Sequence, residues 1–449
     1  MTGGINIIIL KRGLTYLLLL LFCNIVLVAG ALPGAAAILA AVALAVFYIR
    51  FNVIPRGDKS PQRRLRILIG GYELALAAIT CFTFEILAYL YIILGPTNIA
   101  IPALTVNALI SAGLIFILLF NGIARIFVCS GQLGIMPRVL LALFWWLPVV
   151  NLLLLRQFLS ASSGEYEFTL QKRQLNAARR QDELCKTRYP LLLVHGIFFR
   201  DWENFNYWGR IARELTDNGA AIYYGKHQSS ASVERCAGEL KQCVLDILRE
   251  TGQEKVNIIA HSKGGLDSRY AISCLGLGER VASLTTINTP HLGCEYVRKL
   301  LDAIPAKAVS AIGKGYESIY TKLGDDNPDF LNGLKNLTDQ ECARLNGVMP
   351  DHPAVLYQSV GSRMRSAASA VFPLSLGYSI IKLSGGGDND GLVTTASMVW
   401  GDFLGVVSPK GRDGISHGDI IDLTRKNIKG FDVCEFYVDL VNKLKLKGL

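Results

Sequence analysis

The sequence predicts an α/β domain with a mostly parallel sheet, preceded by an all-α transmembrane bundle. Three observations carry that expectation. Residues 1–157 contain four apolar runs, at 14–30, 32–49, 67–94 and 99–123, each close to or above the ~20 residues a helix needs to cross a hydrocarbon core. From residue 188 onward, short β-branched runs alternate with amphipathic stretches, the pattern of strands joined by crossover helices. The charge divides in the same way. Residues 1–157 carry eleven Lys/Arg against three acids, and the other 292 residues hold only +2 of the total +10.

The basic excess lies in short loops between apolar runs, which membrane topology explains and nucleic-acid binding does not. The loop at 50–66 holds six basic residues and one acid, so the positive-inside rule puts it in the cytoplasm together with Lys11 and Arg12. The second run follows the first too closely for a cleaved signal peptide. A fifth run, 139–155, lies between Arg138 and Arg156 and has Trp145, Trp146, Pro148 and Asn151 near its middle. It fits a short fifth span, or a broken helix returning to the same face with its tryptophans at headgroup depth. The region 1–157 is thus expected to have four to five spans, and the side taken by the second domain stays undetermined. Glu73 and Glu85, in the third run, cost on the order of 3 kcal/mol each near mid-membrane. No opposite charge within the runs offers a partner, so the expectation for both is helix packing, with Glu85 hydrogen-bonded inside the bundle.

Residues 158–187 are expected to form a charged helical linker, and 188–449 suffice for one domain. LLLV at 191–194 is a buried strand, and 207–215 has helical spacing that ends at Asn218-Gly219, a C-cap signal. AAIYY at 220–224 is a strand. Residues 232–250 form an amphipathic helix with Cys236, Leu240, Val244, Ile247 and Leu248 on one face. A strand at 256–260, a helix after Gly264 and a strand at 281–288 follow. The ten cysteines show no CxxC and no zinc-like spacing, and small buried residues are the expectation for most of them.

The strand at 256–260 leads straight into Ala260-His261-Ser262-Lys263-Gly264. A nucleophile at the tip of a strand-to-helix turn needs very small neighbours because its backbone is strained, as in the G-x-S-x-G elbow. The bland alternative for Ser262 is a helix N-cap. A serine hydroxyl needs a base and an orienting acid, and around such an elbow they follow in the order Ser, acid, His. That order leaves His291, His352 and His417. His291 has no acid-bearing loop before it, and His352 also precedes the best acid loop. His417, in GISHGD, is the preferred base. GGGDNDGLV supplies Asp388 and Asp390, placed in a loop expected at a strand end, and Asp390 is preferred.

His195-Gly196, YWGRI, the elbow, NTPHLG, NDGLV and SHGD, in that order, resemble the bacterial triacylglycerol lipases of the α/β-hydrolase superfamily, over roughly residues 188–445. The resemblance implies Ser262 as nucleophile, Asp390 as acid and His417 as base. It also implies an oxyanion hole made by the backbone N–H groups of Ile197 and Lys263. In that family a calcium ion joins an Asp two places after the histidine to another Asp upstream of the acid. Asp419 fits the first place. Between His352 and Asp388 there is no acid, so no calcium and no other cofactor is expected, and Asp419 is assigned to capping.

An insert at 296–345 is a candidate lid, with core packing as its alternative. The expected activity is that of a membrane-anchored lipase or esterase acting on carboxylic esters of lipid-like substrates through an acyl-enzyme. An acyltransferase of the same fold and a vestigial, non-catalytic hydrolase domain are the alternatives. The expected partners are a lipid or ester substrate and the bilayer, without nucleic acid, and the expected setting is a bacterial cell membrane.

Overall fold

The computed structural model describes residues 2–54, 62–95, 99–197, 207–228, 231–294, 296–299, 329–409 and 414–449. The chain divides into two compact units, Met1–Gln174 and Leu175–Leu449.

The first unit is helical: α1 (Thr2–Cys23), α2 (Ile25–Gly30), α3 (Gly34–Val53), α4 (Arg63–Leu94), α5 (Ile101–Cys129), α6 (Ile135–Phe144) and α7 (Pro148–Ala178). Among the described residues three helices, α3, α4 and α5, are long and apolar enough to cross a membrane. The first apolar run is not one continuous helix. Asn24 divides it into α1 and α2, and its side chain turns inward to donate to Glu85 Oε1 at 2.5 Å while accepting from Asn107 Nδ2 at 2.8 Å. The fifth run is also broken, between α6 and α7. At about 1.5 Å per residue, the ten residues of α6 fall well short of a hydrocarbon core.

Glu73 corrects the expectation of an unpaired acid. It lies 2.6 Å from Arg12 of α1, a partner outside the run that contains it. Helices α4 and α5 approach closely because both carry glycine at the crossing. A Cβ on Gly71 would lie 2.8 Å from the carbonyl oxygen of Gly122, the small-residue packing typical of apolar bundles. Glu165, at the head of the charged stretch read as a linker, is instead buried in this unit. It accepts from Ser130 Oγ at 2.8 Å and pairs with Arg64 at 2.5 Å.

The second unit holds six parallel strands: β1 (Leu191–Val194), β2 (Ile222–Tyr224), β3 (Val256–His261), β4 (Val281–Ile287), β5 (Leu356–Ser362) and β6 (Asp402–Val407), in the order β2-β1-β3-β4-β5-β6. Its helices are α8 (Ile211–Asp217), α9 (Val233–Thr251), α10 (Lys263–Cys274), α11 (Phe330–Lys335), α12 (Asp339–Val348), α13 (Leu374–Leu383) and α14 (Val433–Leu446).

A parallel sheet must be covered on both faces, and LLLV shows how. Leu191 and Leu193 pack with Ile211, Leu215, Val438 and Val441 of α8 and α14. Leu192 and Val194 point the other way, onto Leu240, Val244 and Ala271 of α9 and α10. The period of two in the strand divides one apolar run between two cores. Helix α9 begins where its serine caps it: Ser232 Oγ accepts the Arg235 amide, and Gly252 closes the helix at φ +66. All five of its expected apolar positions are buried.

Strands β5 and β6 were absent from the sequence reading, and they set the distal half of the sheet. Most of the candidate lid at 296–345 falls outside the described residues. Its described part includes α11 and most of α12, whose Cys342 and Leu345 pack with Leu266. The ten cysteines are all free thiols, seven of them buried.

Candidate active site

Ser262 sits between β3 and α10 at φ +54 and ψ −132, a region that non-glycine residues enter at a cost. It occupies the N-cap position, yet its side chain makes no capping hydrogen bond. Capping therefore does not account for this residue. The strain is held by fit. A Cβ on Gly264 would lie 2.3 Å from the carbonyl oxygen of His195, and one on Gly265 would lie 2.2 Å from Thr289 Oγ1. A Cβ on Gly196 would come within 2.7 Å of the Ser262 Cβ. Three glycines thus let the β1 exit, the serine turn and the β4 exit converge.

Asp390 is fully buried. Oδ1 accepts the amides of Leu392 and Val393 at 2.8 and 2.7 Å. Oδ2 lies 2.6 Å from His417 Nδ1 and accepts Asn288 Nδ2 at 2.8 Å. Asn288 follows β4 at φ +48 and also donates to Ser362 Oγ at 2.7 Å. The acid loop does not extend a strand, as the sequence reading placed it. It follows α13 and is fastened to the end of β5, where the Met364 amide donates to the Asn389 carbonyl at 2.9 Å.

Asp388, the alternative acid, lies at the surface between Arg363 and Lys382, which hold its carboxyl below the usual range. The rejected histidines are elsewhere. His291 is buried beside Arg269 and Thr286, and His352 faces Glu279 near the surface.

His417 is fixed from both sides. Its amide donates to the Asp390 carbonyl at 2.9 Å. Its neighbours Ser416 and Asp419 bond reciprocally: Ser416 Oγ donates to Asp419 Oδ2 at 2.6 Å, and the Asp419 amide donates back to Ser416 Oγ at 3.2 Å. Asp419 therefore caps the turn that presents His417. Its carboxylate is engaged there, and no group of three His, Cys, Asp or Glu suited to a metal occurs among the described residues. These residues do not fit the oxygen cage of a calcium ion.

The ring of His417 lies 4.5 Å, centroid to centroid, from that of His261, the residue before the serine. Burial, helped by His417, pushes the His261 pKa well below the ordinary histidine value, so this second imidazole stays neutral beside the first. Its Nδ1 lies 2.6 Å from Tyr207 Oη, which also accepts the Gly196 amide at 3.1 Å. Among the described residues, His417 is bonded through Nδ1 to Asp390, and no hydrogen bond joins Ser262 Oγ to its Nε2. That link commonly tightens only with substrate bound.

Of the two expected oxyanion donors, Lys263 is the first residue of α10, so its amide has no partner one turn earlier and points out of the helix start. Ile197 is buried directly after Gly196, at the edge of the described residues. Two features escaped the sequence reading: Asn288 as a holder of Asp390, and Asp267, whose carboxylate lies 2.7 Å from Lys263 Nζ in the core. Asn288 stands in the NTPHLG motif, which was a signal without an assigned role. The spacing of four between Lys263 and Asp267 was legible as a helical pair.

Helix α13 and the residues just before it present apolar side chains outward next to the acid loop. Val371, Phe372 and Leu383 are 77%, 76% and 88% exposed. A Cβ on Gly377 of the same helix would lie 2.0 Å from the Gly391 carbonyl oxygen. Residues 362–387 contain Arg363, Arg365 and Lys382 and no acid.

Residues 191–325 match the family described as Putative serine esterase (DUF676). The chain is 31% identical over 297 residues to a triacylglycerol lipase of Vibrio cholerae serotype O1, covering 61% of this chain and 92% of that one. It is 34% identical over 186 residues to a triacylglycerol lipase of Burkholderia plantarii, covering 39% of this chain and about half, 51%, of the relative. Among solved structures, that of Staphylococcus hyicus lipase superposes with a TM-score of 0.45 at 16% identity, over 58% of this chain and 98% of that one.

Proposed function

Because the chain belongs to the triacylglycerol lipase family, a group of serine-dependent α/β-hydrolases, we propose that it cleaves carboxylic esters of lipid-like substrates through an acyl-enzyme, from a membrane-anchored position. The observation that carries this reading is the pairing of an uncapped, positive-φ serine at a strand-to-helix turn with a buried Asp390–His417 hydrogen bond at the same sheet edge.

In this mechanism Ser262 Oγ attacks the acyl carbonyl carbon and His417 Nε2 takes its proton. Asp390, bonded to Nδ1, holds the ring in the needed tautomer and stabilises the imidazolium that forms. The remaining hydrogen bonds to Asp390 keep its carboxylate aimed at the ring. The amides of Lys263 and Ile197 receive the developing oxyanion, an effect worth about 3–4 kcal/mol per donor. His417 then returns the proton to the leaving alkoxide, and water activated by the same base releases the acid.

The three long apolar helices support the anchoring, which brings the site to its substrate at high local concentration. Ser262→Ala should abolish both fluorophosphonate labelling and hydrolysis of short-chain esters. Unchanged turnover in that variant would end the assignment.

A further inference from the structure

Lys263 carries a cation where it is least welcome. Its side chain is buried at the first turn of α10, where the helix dipole already places positive charge, and burial of an unpaired charge is costly. The structure answers with a private set of partners. Nζ lies 2.7 Å from Asp267 Oδ1, one turn along the same helix, and 3.3 Å from Cys236 Sγ on α9.

The second oxygen of Asp267 faces His227 Nε2 at 3.7 Å. The His227 ring stacks on that of His195, 4.1 Å between centroids and 3° from parallel. His195 follows β1 directly, and its Nδ1 lies 3.0 Å from the Gly196 carbonyl. A continuous buried path therefore runs from Lys263, through Asp267 and His227, to the 195–197 segment. Its two ends are the two segments that supply the oxyanion amides.

We propose that Asp267 is a positioning residue for the oxyanion hole: held between Lys263 and His227, its carboxylate fixes the spacing between the Lys263 amide and the 195–197 segment. The inference rests on the serine-hydrolase reading above. Burial lifts the Asp267 carboxyl to about 6 against the pull of Lys263, with Glu234 and Glu239 adding to the rise. At neutral pH the pair is ionic, and Lys263 stays protonated because Asp267 and Cys236 outweigh the desolvation of its ammonium group.

The test compares an ester with the thionoester of the same acid and alcohol, using the full chain in detergent. A thiocarbonyl sulfur accepts hydrogen bonds poorly, so the thionoester gains little from the two amides. Asp267→Asn should lower kcat for the ester about tenfold to a hundredfold with KM within about twofold. The thionoester rate should change far less, so the preference for oxygen over sulfur shrinks about tenfold or more. Because Asp267→Asn leaves Lys263 buried and unpaired, the double variant Lys263→Met/Asp267→Leu removes both charges at similar volume. It should unfold at nearly the wild-type temperature and show the same loss of preference.

A folded double variant with wild-type kcat and wild-type preference overturns the inference. So does an equal fall in both substrates. If the wild type shows no Ser262-dependent turnover at all, the serine-hydrolase reading fails and takes this inference with it.

Discussion

Oδ2 of Asp390 lies 2.6 Å from Nδ1 of His417, and the same oxygen accepts a second hydrogen bond from Asn288. The acid is thus held by a strand end 102 residues away in sequence, and not only by its own loop. Asp390→Asn should leave the fold intact and lower kcat about 10⁴-fold, because the amide no longer stabilises the imidazolium or enforces its tautomer. Asp388→Asn should stay within about twofold, since that carboxylate pairs at the surface, where such contacts contribute little. Steady-state kinetics on a soluble ester, with circular dichroism to confirm folding, separates the two.

Two buried histidines set the pH response of stability. His261 and His291 are held well below the ordinary histidine pKa by burial, with His417 and Arg269 respectively adding to the effect. In the unfolded chain both take up protons below about pH 6.5, while in the folded state both stay neutral. The unfolded state therefore binds more protons, and stability falls as pH drops through 6.5. Asp267, raised to about 6, and Asp419, also raised by burial, partly oppose this as they take up protons. Thermal unfolding at pH 7.5 and 6 should show a net loss of about 1 kcal/mol at the lower value. A stability that rises on acidification over this range would contradict the assignment.

The outward face of α13 should distinguish dispersed from soluble substrate. Phe372→Ser, just before the helix, combined with Leu383→Ser at its end removes two of the most exposed apolar side chains of this patch and touches none of the proposed catalytic groups. Turnover of an ester presented in a bilayer should fall about tenfold, in keeping with the loss of about 1.4 kcal/mol of apolar contact with lipid. A water-soluble ester should be hydrolysed at the wild-type rate within about twofold. An equal loss on both would show that the patch supports the fold and not the encounter.

Removal of divalent cations provides a further check. Asp419 is committed to Ser416, and the mechanism uses no metal. Prolonged treatment with a chelator should leave kcat and the unfolding temperature unchanged. Ser416→Ala, which removes the hydroxyl that Asp419 caps, should lower kcat several-fold through the mobility of His417. A stability loss of about 1 kcal/mol is expected with it.

Local signals were the legible ones. The period of two in LLLV, the amphipathic run closed by Gly252 and the serine turn between a strand and a helix are all encoded within a few residues. The order of motifs along the chain singled out Asp390 and His417. Less legible was whatever depends on a distant partner. Asn288 lies 102 residues from the acid it holds, and Arg12 reaches Glu73 from another helix. The break at Asn24 was hidden for a related reason. A single amide in an apolar run looks tolerable until a buried carboxylate elsewhere in the bundle draws it inward. Strand β6 was missed because its residues are alternately exposed and half-buried at a sheet edge, without the continuous apolar run that marks the central strands.

The wide spacing of the three proposed catalytic side chains along the chain also has a temporal side. The hydroxyl is translated more than a hundred residues before its carboxylate, and the imidazole comes last of all. A ribosome-bound intermediate can carry a formed serine turn and still lack any means of ionising it. On the proposed mechanism, the chain gains hydrolytic competence only once Asp390 and His417 have been made and folded against the serine turn.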